Sequence, residues 1–429
     1  TWIIALAVLV LFLFSTLIIS VVIPKFELYQ KMMDKLNLLT RENLTGIRVI
    51  RALNKEEYEN KKFKKANNGL TKIYLSINGL MQLQTPIMML VFNATSLLAI
   101  WIGIAHLSVD ISYLGKMMAF MQYATQVIMS FLFLTMLFVM IPRANVSAKR
   151  INEVLMTKTK IHFPEKIEVK PSSKPCVEFK HVSFSYNNSD GKILENISFK
   201  AEVGETTAFI GSTGSGKSTL INLVPRFFDV TDGQILIDGV DIKKYPEAEL
   251  VGRIGYVPQK GYLFAGTIRS NILFGAKDNS DHQMFKAARI AQAAEFIEKM
   301  PDKYDTKIAE GGTNVSGGQR QRLLIARAIA KDPEIYVFDD AFSALDMKTD
   351  SMLRETLKKV TTESITLIVA QRISTIRDAE QIIVLDKGKI VGKGTHRELL
   401  KKCKVYLEIA KSQLSEVELN KELEQSGEE

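Results

Sequence analysis

Two cysteines among 429 residues, Cys176 and Cys403, leave no basis for a disulfide framework or a cysteine-rich metal site. Histidine is nearly as scarce. His106, His162, His181, His282 and His396 are the whole supply, and none stands at a motif where it would serve as base or ligand. Charge is missing altogether from three long stretches, Trp2 to Ile23, Ile73 to Ala105 and Met117 to Pro142. A single Lys or Arg at mid-bilayer costs about 2.5 to 3.5 kcal/mol, and the first stretch, as a helix, reaches roughly 33 Å, enough to cross a hydrocarbon core. A wholly soluble chain is therefore disfavoured. The sequence also lacks the interleaved aromatic and basic pattern that grips single-stranded nucleic acid, so its net charge of +9 calls for another explanation.

What is present supplies one. Between Pro24 and Lys72 lie Lys25, Lys31, Lys35, Arg41, Arg48, Arg51, Lys55, Lys61, Lys62, Lys64, Lys65 and Lys72, whereas the loop after Ala105 carries only Asp110 and Lys116. The positive-inside rule puts 24–72 and everything after Arg143 in the cytoplasm, and the 106–116 loop outside. Membrane lipid, not nucleic acid, is the expected surrounding. The chain opens at Thr1 with no basic n-region, and its first apolar run is too long for a signal peptide; further helices are expected upstream.

Spans at about 2–23, 84–105 and 117–142 are expected within a membrane domain of residues 1–160. Met32, Leu36, Leu39, Ile47 and Ile50 continue the helical spacing beyond the first span. A charged break at 54–60 turns the chain back, and Pro86 falls inside the returning span, where it is expected to kink the helix. Pro164, Pro171 and Pro175 mark a linker over 161–176. From Val177 to about 414, short β-rich runs alternate with helical segments: 177–179, 207–210, 234–237, 335–338, 365–369 and 381–385. That alternation predicts an α/β domain with a largely parallel sheet. The acidic tail, 415–429, reads as a solvated helix or a disordered end.

The sharpest chemical signal is Gly211-Ser212-Thr213-Gly214-Ser215-Gly216-Lys217-Ser218 directly after an apolar run. It fits the phosphate-binding G-x-x-x-x-G-K-[ST] pattern between strand and helix. The glycines let successive N–H groups point at phosphate oxygens, with the positive end of the following helix behind them. Lys217 is expected to pair with the β- and γ-phosphates of ATP, and Ser218 to ligate Mg²⁺. Asp339 and Asp340 end an apolar strand run, the expected place for a second Mg²⁺-binding carboxylate at Asp339. Between these lies Val315-Ser316-Gly317-Gly318-Gln319, small residues ahead of a helix that offer N–H groups to an anion or simply cap that helix.

Together these residues resemble the ATP-binding cassette family over nearly the whole chain. The resemblance implies a membrane all-α domain, with three long helices corresponding to the fourth to sixth of an exporter's six, joined to an α/β P-loop NTPase domain in the cytoplasm. Val315 to Gln319 is similar to the family signature, with Val in place of the usual Leu. Tyr186 corresponds to the aromatic that stacks on adenine, with Thr219 completing the phosphate-loop set. Gln259 corresponds to the glutamine that reaches Mg²⁺ and couples to the membrane helices. Ser343 to Asp346 corresponds to the loop crossing the dimer interface, and Glu310 to the segment that touches the membrane domain; 54–60 corresponds to the coupling helix. The resemblance also implies a dimer in which each ATP is held by one chain's phosphate loop and the other chain's signature.

Two residues depart from the family pattern. Asp340 stands where a Glu usually activates water, and Gln371 where a His usually contacts the γ-phosphate. A carboxylate shortened by one methylene is withdrawn by about 1.5 Å, and shifts near 1 Å cost roughly a hundredfold in rate; a glutamine amide can donate a hydrogen bond but cannot take up a proton or a positive charge. The expectation is ATP-driven export of drug-like amphipathic or hydrophobic solutes by one half of a heterodimer, with weak hydrolysis at this chain's own site. The alternatives are a nucleotide-sensing regulatory subunit that forms no pathway, or a lipid or peptide exporter half.

Overall fold

The computed structural model describes residues 2–107, 113–166, 175–186 and 191–425. It divides into two compact units, Thr1–Lys158 and Thr159–Glu429. The expected 106–116 loop, the linker and the acidic tail each fall partly outside the described residues.

The first unit is helical throughout: α1 (Trp2–Ala52), α2 (Glu56–Gln82), α3 (Gln84–Leu107) and α4 (Tyr113–Leu155). At 51 residues α1 reaches about 77 Å, far beyond a bilayer, so its lower half stands clear of the membrane. Leu6, Leu9, Phe12, Leu13 and Leu17 are all more than half exposed. Side chains of this kind are stable only against lipid or another apolar surface. Deeper along the pair, Ile18 and Val22 of α1 pack on Ile77 of α2, and Lys25 Nζ donates to Ser76 Oγ at 2.6 Å. The charged break at 54–60 resolves into a two-residue turn, with Asn54 at φ 51°, after which Glu56 opens α2. The interruption expected at Pro86 lies at Leu83, between α2 and α3. Proline lacks the N–H that would bond the carbonyl four residues back, so the helix slips just ahead of it.

The second unit carries twelve strands among its described residues: β1 (Cys176–Phe184), β2 (Leu194–Glu202), β3 (Thr206–Gly211), β4 (Asp232–Ile237), β5 (Val240–Asp241), β6 (Ile254–Val257), β7 (Gly266–Thr267), β8 (Lys307–Ile308), β9 (Ile335–Asp339), β10 (Ile365–Val369), β11 (Gln381–Asp386) and β12 (Lys389–Gly394). Six form one sheet in the order β12-β11-β3-β10-β9-β6. It is parallel except where β12 returns antiparallel on β11. Strands β9 and β10 are buried at every position, as strands covered on both faces must be.

The largely parallel expectation needs one correction. The runs at 177–179 and 234–237 belong to β1 and β4 of a separate antiparallel sheet, β2-β1-β4-β5. Their short apolar stretches have the same composition as the parallel strands, and only the alternating burial of β2 betrays a sheet with one covered face. Val177, Phe179 and Ile237 of this sheet share a core with Phe209 of β3 and Val369 of β10.

Residues of the linker and of the tail helix Glu416–Gln425 also take part in packing. Phe163 packs against that same core, and Arg226 stacks over its ring and donates through Nη2 to His162 O at 3.1 Å. The tail is not simply solvated: Leu419 is buried, and Glu422 Oε2 meets His396 Nε2 at 2.7 Å.

Candidate nucleotide site

Four neighbouring parallel strands, β3, β10, β9 and β6, each release a polar segment from their C-terminal ends. In open α/β sheets that edge is where ligands bind. Strand β3 leads into the loop 211–216 and helix α5 (Lys217–Asn222). Strand β9 ends in Asp339 with Asp340 beyond it, β10 is followed by Gln371, and β6 by Gln259. Residues scattered over more than 150 positions thus meet because the sheet orders its strands differently from the chain.

The loop itself is built by glycine. A Cβ on Gly211 would sit 2.0 Å from Leu385 O, and Gly216, the residue before α5, holds φ 98°, a left-handed conformation that other residues strain to adopt. Lys217 Nζ folds back over the loop, donating to Ser212 O at 2.7 Å and Gly211 O at 2.9 Å. Burial lowers the lysine's pKa, against the pull of Asp340 and Asp339. Ser218 Oγ donates to Asp339 Oδ1 at 2.9 Å, joining the ends of two strands through the pair expected to hold a cation. Burial raises the pKa of Asp339, which the Ser218 bond opposes.

Tyr186 follows β1 and stands beside this loop. Its ring meets Phe184 and Phe228 edge-on, at centroid distances of 4.8 and 5.1 Å, and its hydroxyl lies 3.2 Å from Thr219 Oγ1. The exposed ring is therefore held upright within reach of the phosphate loop.

Asp340 is the most constrained member. It sits at φ 50°, with its carboxylate buried. Gln371 Nε2 donates to Asp340 Oδ2 at 2.8 Å, and Gln259 Nε2 donates to the same oxygen at 3.3 Å. Ser343 Oγ ties down the Asp340 carbonyl at 2.9 Å. Burial pushes the carboxylate above its ordinary range, and the hydrogen bonds counter that only in part. One acid and two amides form a single neutral-donor cluster at the ends of β9, β10 and β6.

Val315 to Gln319 stands apart. Ser316 Oγ accepts from Gln319 N at 3.2 Å while Gln319 Oε1 accepts from Ser316 N at 3.0 Å, a reciprocal cap on the helix Gly317–Ala330. Among the described residues no hydrogen bond links this segment to the phosphate loop, so the capping role is visible within one chain. Asp346 similarly caps the helix Met347–Val360 through Thr349 N at 3.0 Å. Glu310 accepts from Tyr262 OH at 3.0 Å on an exposed aromatic surface that includes Phe264 and Phe274.

Residues 194–343 match the family described as ABC transporter, and residues 1–131 match the ABC transporter transmembrane region. The chain is 41% identical over 417 residues to an uncharacterized ABC transporter ATP-binding protein of Mycobacterium tuberculosis, covering 96% of this chain and 71% of the relative. The chain belongs to the ABC transporter family. A putative multidrug export ATP-binding/permease protein of Staphylococcus aureus is 47% identical over 230 residues, which cover 54% of this chain and 40% of that one. A solved bacterial Atm1-family ABC exporter with ATP bound aligns with a TM-score of 0.85 at 29% identity, over 96% of this chain and 72% of that chain. The protein is accordingly an ABC exporter chain of the cytoplasmic membrane, a transmembrane helical domain joined to a cytoplasmic ATPase domain that binds ATP.

One contact within this ABC domain had no counterpart in the sequence reading. Gln413, from the helix Lys404–Gln413, bonds the backbone on both sides of Arg372. No motif or spacing marks it; only the packing of that helix against the sheet brings it there.

Proposed function

We propose that this chain is one half of a heterodimeric exporter of small amphipathic or hydrophobic compounds, and that its own phosphate-loop site holds MgATP better than it cleaves it. The observation that carries the second part is the shared Asp340 Oδ2, which accepts from both Gln371 and Gln259. A water-activating carboxylate needs reach and a free lone pair aimed at the water. Burial makes Asp340 a somewhat stronger base, but its short side chain is turned toward two amides. Gln371 adds a donor without charge.

Mg²⁺ fits the residues present. A hydroxyl and a carboxylate, Ser218 and Asp339, are hard oxygen donors placed side by side, and this cation is ordinarily held by one or two such groups together with substrate phosphate. When bound, the ion neutralises charge on the terminal phosphates. The protein's part is to grip those phosphates with loop N–H groups and Lys217, to seat adenine on Tyr186, and to fix the loops at Gln259 and Gln371 relative to them. Val315 to Gln319 then serves the partner's nucleotide, since an N–H cage at a helix start is complete only around a ligand held elsewhere. The multidrug export name of the Staphylococcus relatives supports the drug-like substrate class, as does the sparsity of polar anchors in the spans.

The test is dye movement in inverted vesicles carrying the full-length chain with its partner half. ATP-dependent uptake that disappears with Lys217→Ala is expected. ATP-dependent nucleotide binding with no dye or lipid movement by any pair would favour the regulatory reading instead.

A further inference from the structure

The segment Ala370 to Ile373 that follows β10 is met by the side chain of Gln413. Gln413 Nε2 donates to Gln371 O at 2.7 Å, and Gln413 Oε1 accepts from Ile373 N at 2.9 Å. One primary amide thus pairs with the main chain at both ends of a three-residue stretch, as a neighbouring strand would. The side chain of the same Gln371 donates to Asp340 Oδ2 at 2.8 Å. A line of hydrogen bonds therefore runs from the helix Lys404–Gln413 through one backbone segment to the buried acid.

The far end of that line is firmly anchored. Tyr406 and Ala410, on the same helix as Gln413, are fully buried. Tyr406 OH lies 2.6 Å from His396 Nδ1, and His396 Nε2 lies 2.7 Å from Glu422 Oε2 in the following helix. The C-terminal region packs on the sheet through these groups and presents Gln413 at its last turn. Gln371 and Arg372 are exposed after a strand end; the flanking backbone is fixed by Ala370 N donating to Phe209 O at 3.1 Å and Thr375 N to Arg372 O at 3.2 Å, and Arg372 Nη2 donates to Ser343 O at 3.1 Å, which leaves the Gln371 carbonyl and the Ile373 N–H to Gln413.

We propose that Gln413 is a positioning residue for the nucleotide site, acting through Gln371: it sets the backbone from which the Gln371 amide reaches Asp340 and the bound nucleotide. This rests on Gln371 facing the nucleotide, and is independent of the transported compound and of the partner's identity.

The experiment follows nucleotide release from this chain alone within the full-length, partnered exporter. The complex is loaded with radiolabelled 8-azido-ATP, chased with unlabelled ATP for increasing times, irradiated, and separated on a gel so that label on each chain is read apart. Gln413→Leu, which removes both bonds at similar size, should speed release about fivefold, and Gln413→Glu, which keeps the acceptor for Ile373 N–H, about twofold. Gln371→Ala should also speed release, and adding Gln413→Leu to it should change the rate by less than about 1.5-fold, because two residues acting through one contact are not additive. Unchanged release with Gln413→Leu, or the same factor in the Gln371→Ala background, would overturn the proposal, the latter by showing a merely structural role. Should the leucine variant not assemble, wild-type release by Gln413→Glu overturns it equally. If Gln371→Ala itself leaves release untouched, the nucleotide-facing reading of Gln371 fails first, and the proposal with it.

Discussion

The phosphate loop and the acid–amide corner lie at the ends of neighbouring strands, yet they are built on opposite terms. The loop works through backbone: glycines that admit close approach, N–H groups at a helix start, and one lysine over carbonyls that phosphate oxygens can replace. The corner works through side chains, where Asp340, Gln371 and Gln259 must each reach an atom in a particular direction. A backbone contact is indifferent to most side-chain changes that spare the glycines and Lys217, whereas a side-chain site is altered by one methylene. On the function proposed above, that contrast lets the chain keep its grip on ATP while its cleavage chemistry drifts.

The largest effect belongs to the grip: Lys217→Ala removes a charge-assisted contact to two phosphates and should weaken MgATP binding about a hundredfold, measured by photolabelling of this chain. Unaltered labelling would mean that the lysine does not face the nucleotide. Restoring the corner comes next. Asp340→Glu with Gln371→His should raise single-turnover hydrolysis at this site about tenfold or more, with the MgATP affinity little changed; if affinity moves and the rate does not, the division between grip and chemistry is misplaced.

Tyr186→Ala, which removes the exposed ring beside Thr219, should lower affinity about fivefold, while Tyr186→Phe should stay near wild type, because stacking needs the ring and not the hydroxyl. Equal losses from both would shift the role to the contact with Thr219. The smallest effect is thermal. Burial raises the Asp339 pKa above its ordinary 3.8, so the folded state binds this proton more readily than the unfolded state. Its contribution to stability is present below the ordinary value and is lost as pH rises through the folded one. At neutral pH Asp339→Asn should therefore raise the melting temperature of the nucleotide domain, by about 2–4 °C for each kcal/mol relieved. A lower melting temperature at neutral pH with no change near pH 3 would contradict that sign.

What could be read beforehand follows the same division. The phosphate loop was legible because its residues are consecutive, and the long apolar helices α1 and α3 because the absence of charge is itself a sequence property. Asp340 and Gln371 were legible only as departures from a family pattern. Nothing in their spacing says that Gln371 and Gln259 meet on one oxygen of Asp340, since that requires β9 to lie between β10 and β6. The antiparallel sheet was missed because buried apolar runs of four residues look alike in either kind of sheet. The tail was legible as a largely exposed helix, but its charged composition masks the burial of Leu419 and the pairing of Glu422 with His396, and Gln413 carries no local signature at all.

The most direct measurement is ATP turnover by the purified full-length chain alone, compared with the same chain assembled with its partner half. A site that binds but scarcely cleaves predicts that the chain alone photolabels with azido-ATP and yet turns over at a small fraction of the paired rate. Turnover by the chain alone at an ordinary exporter rate, on the order of 1–10 per second, would show that Asp340 and Gln371 support hydrolysis and would contradict the account.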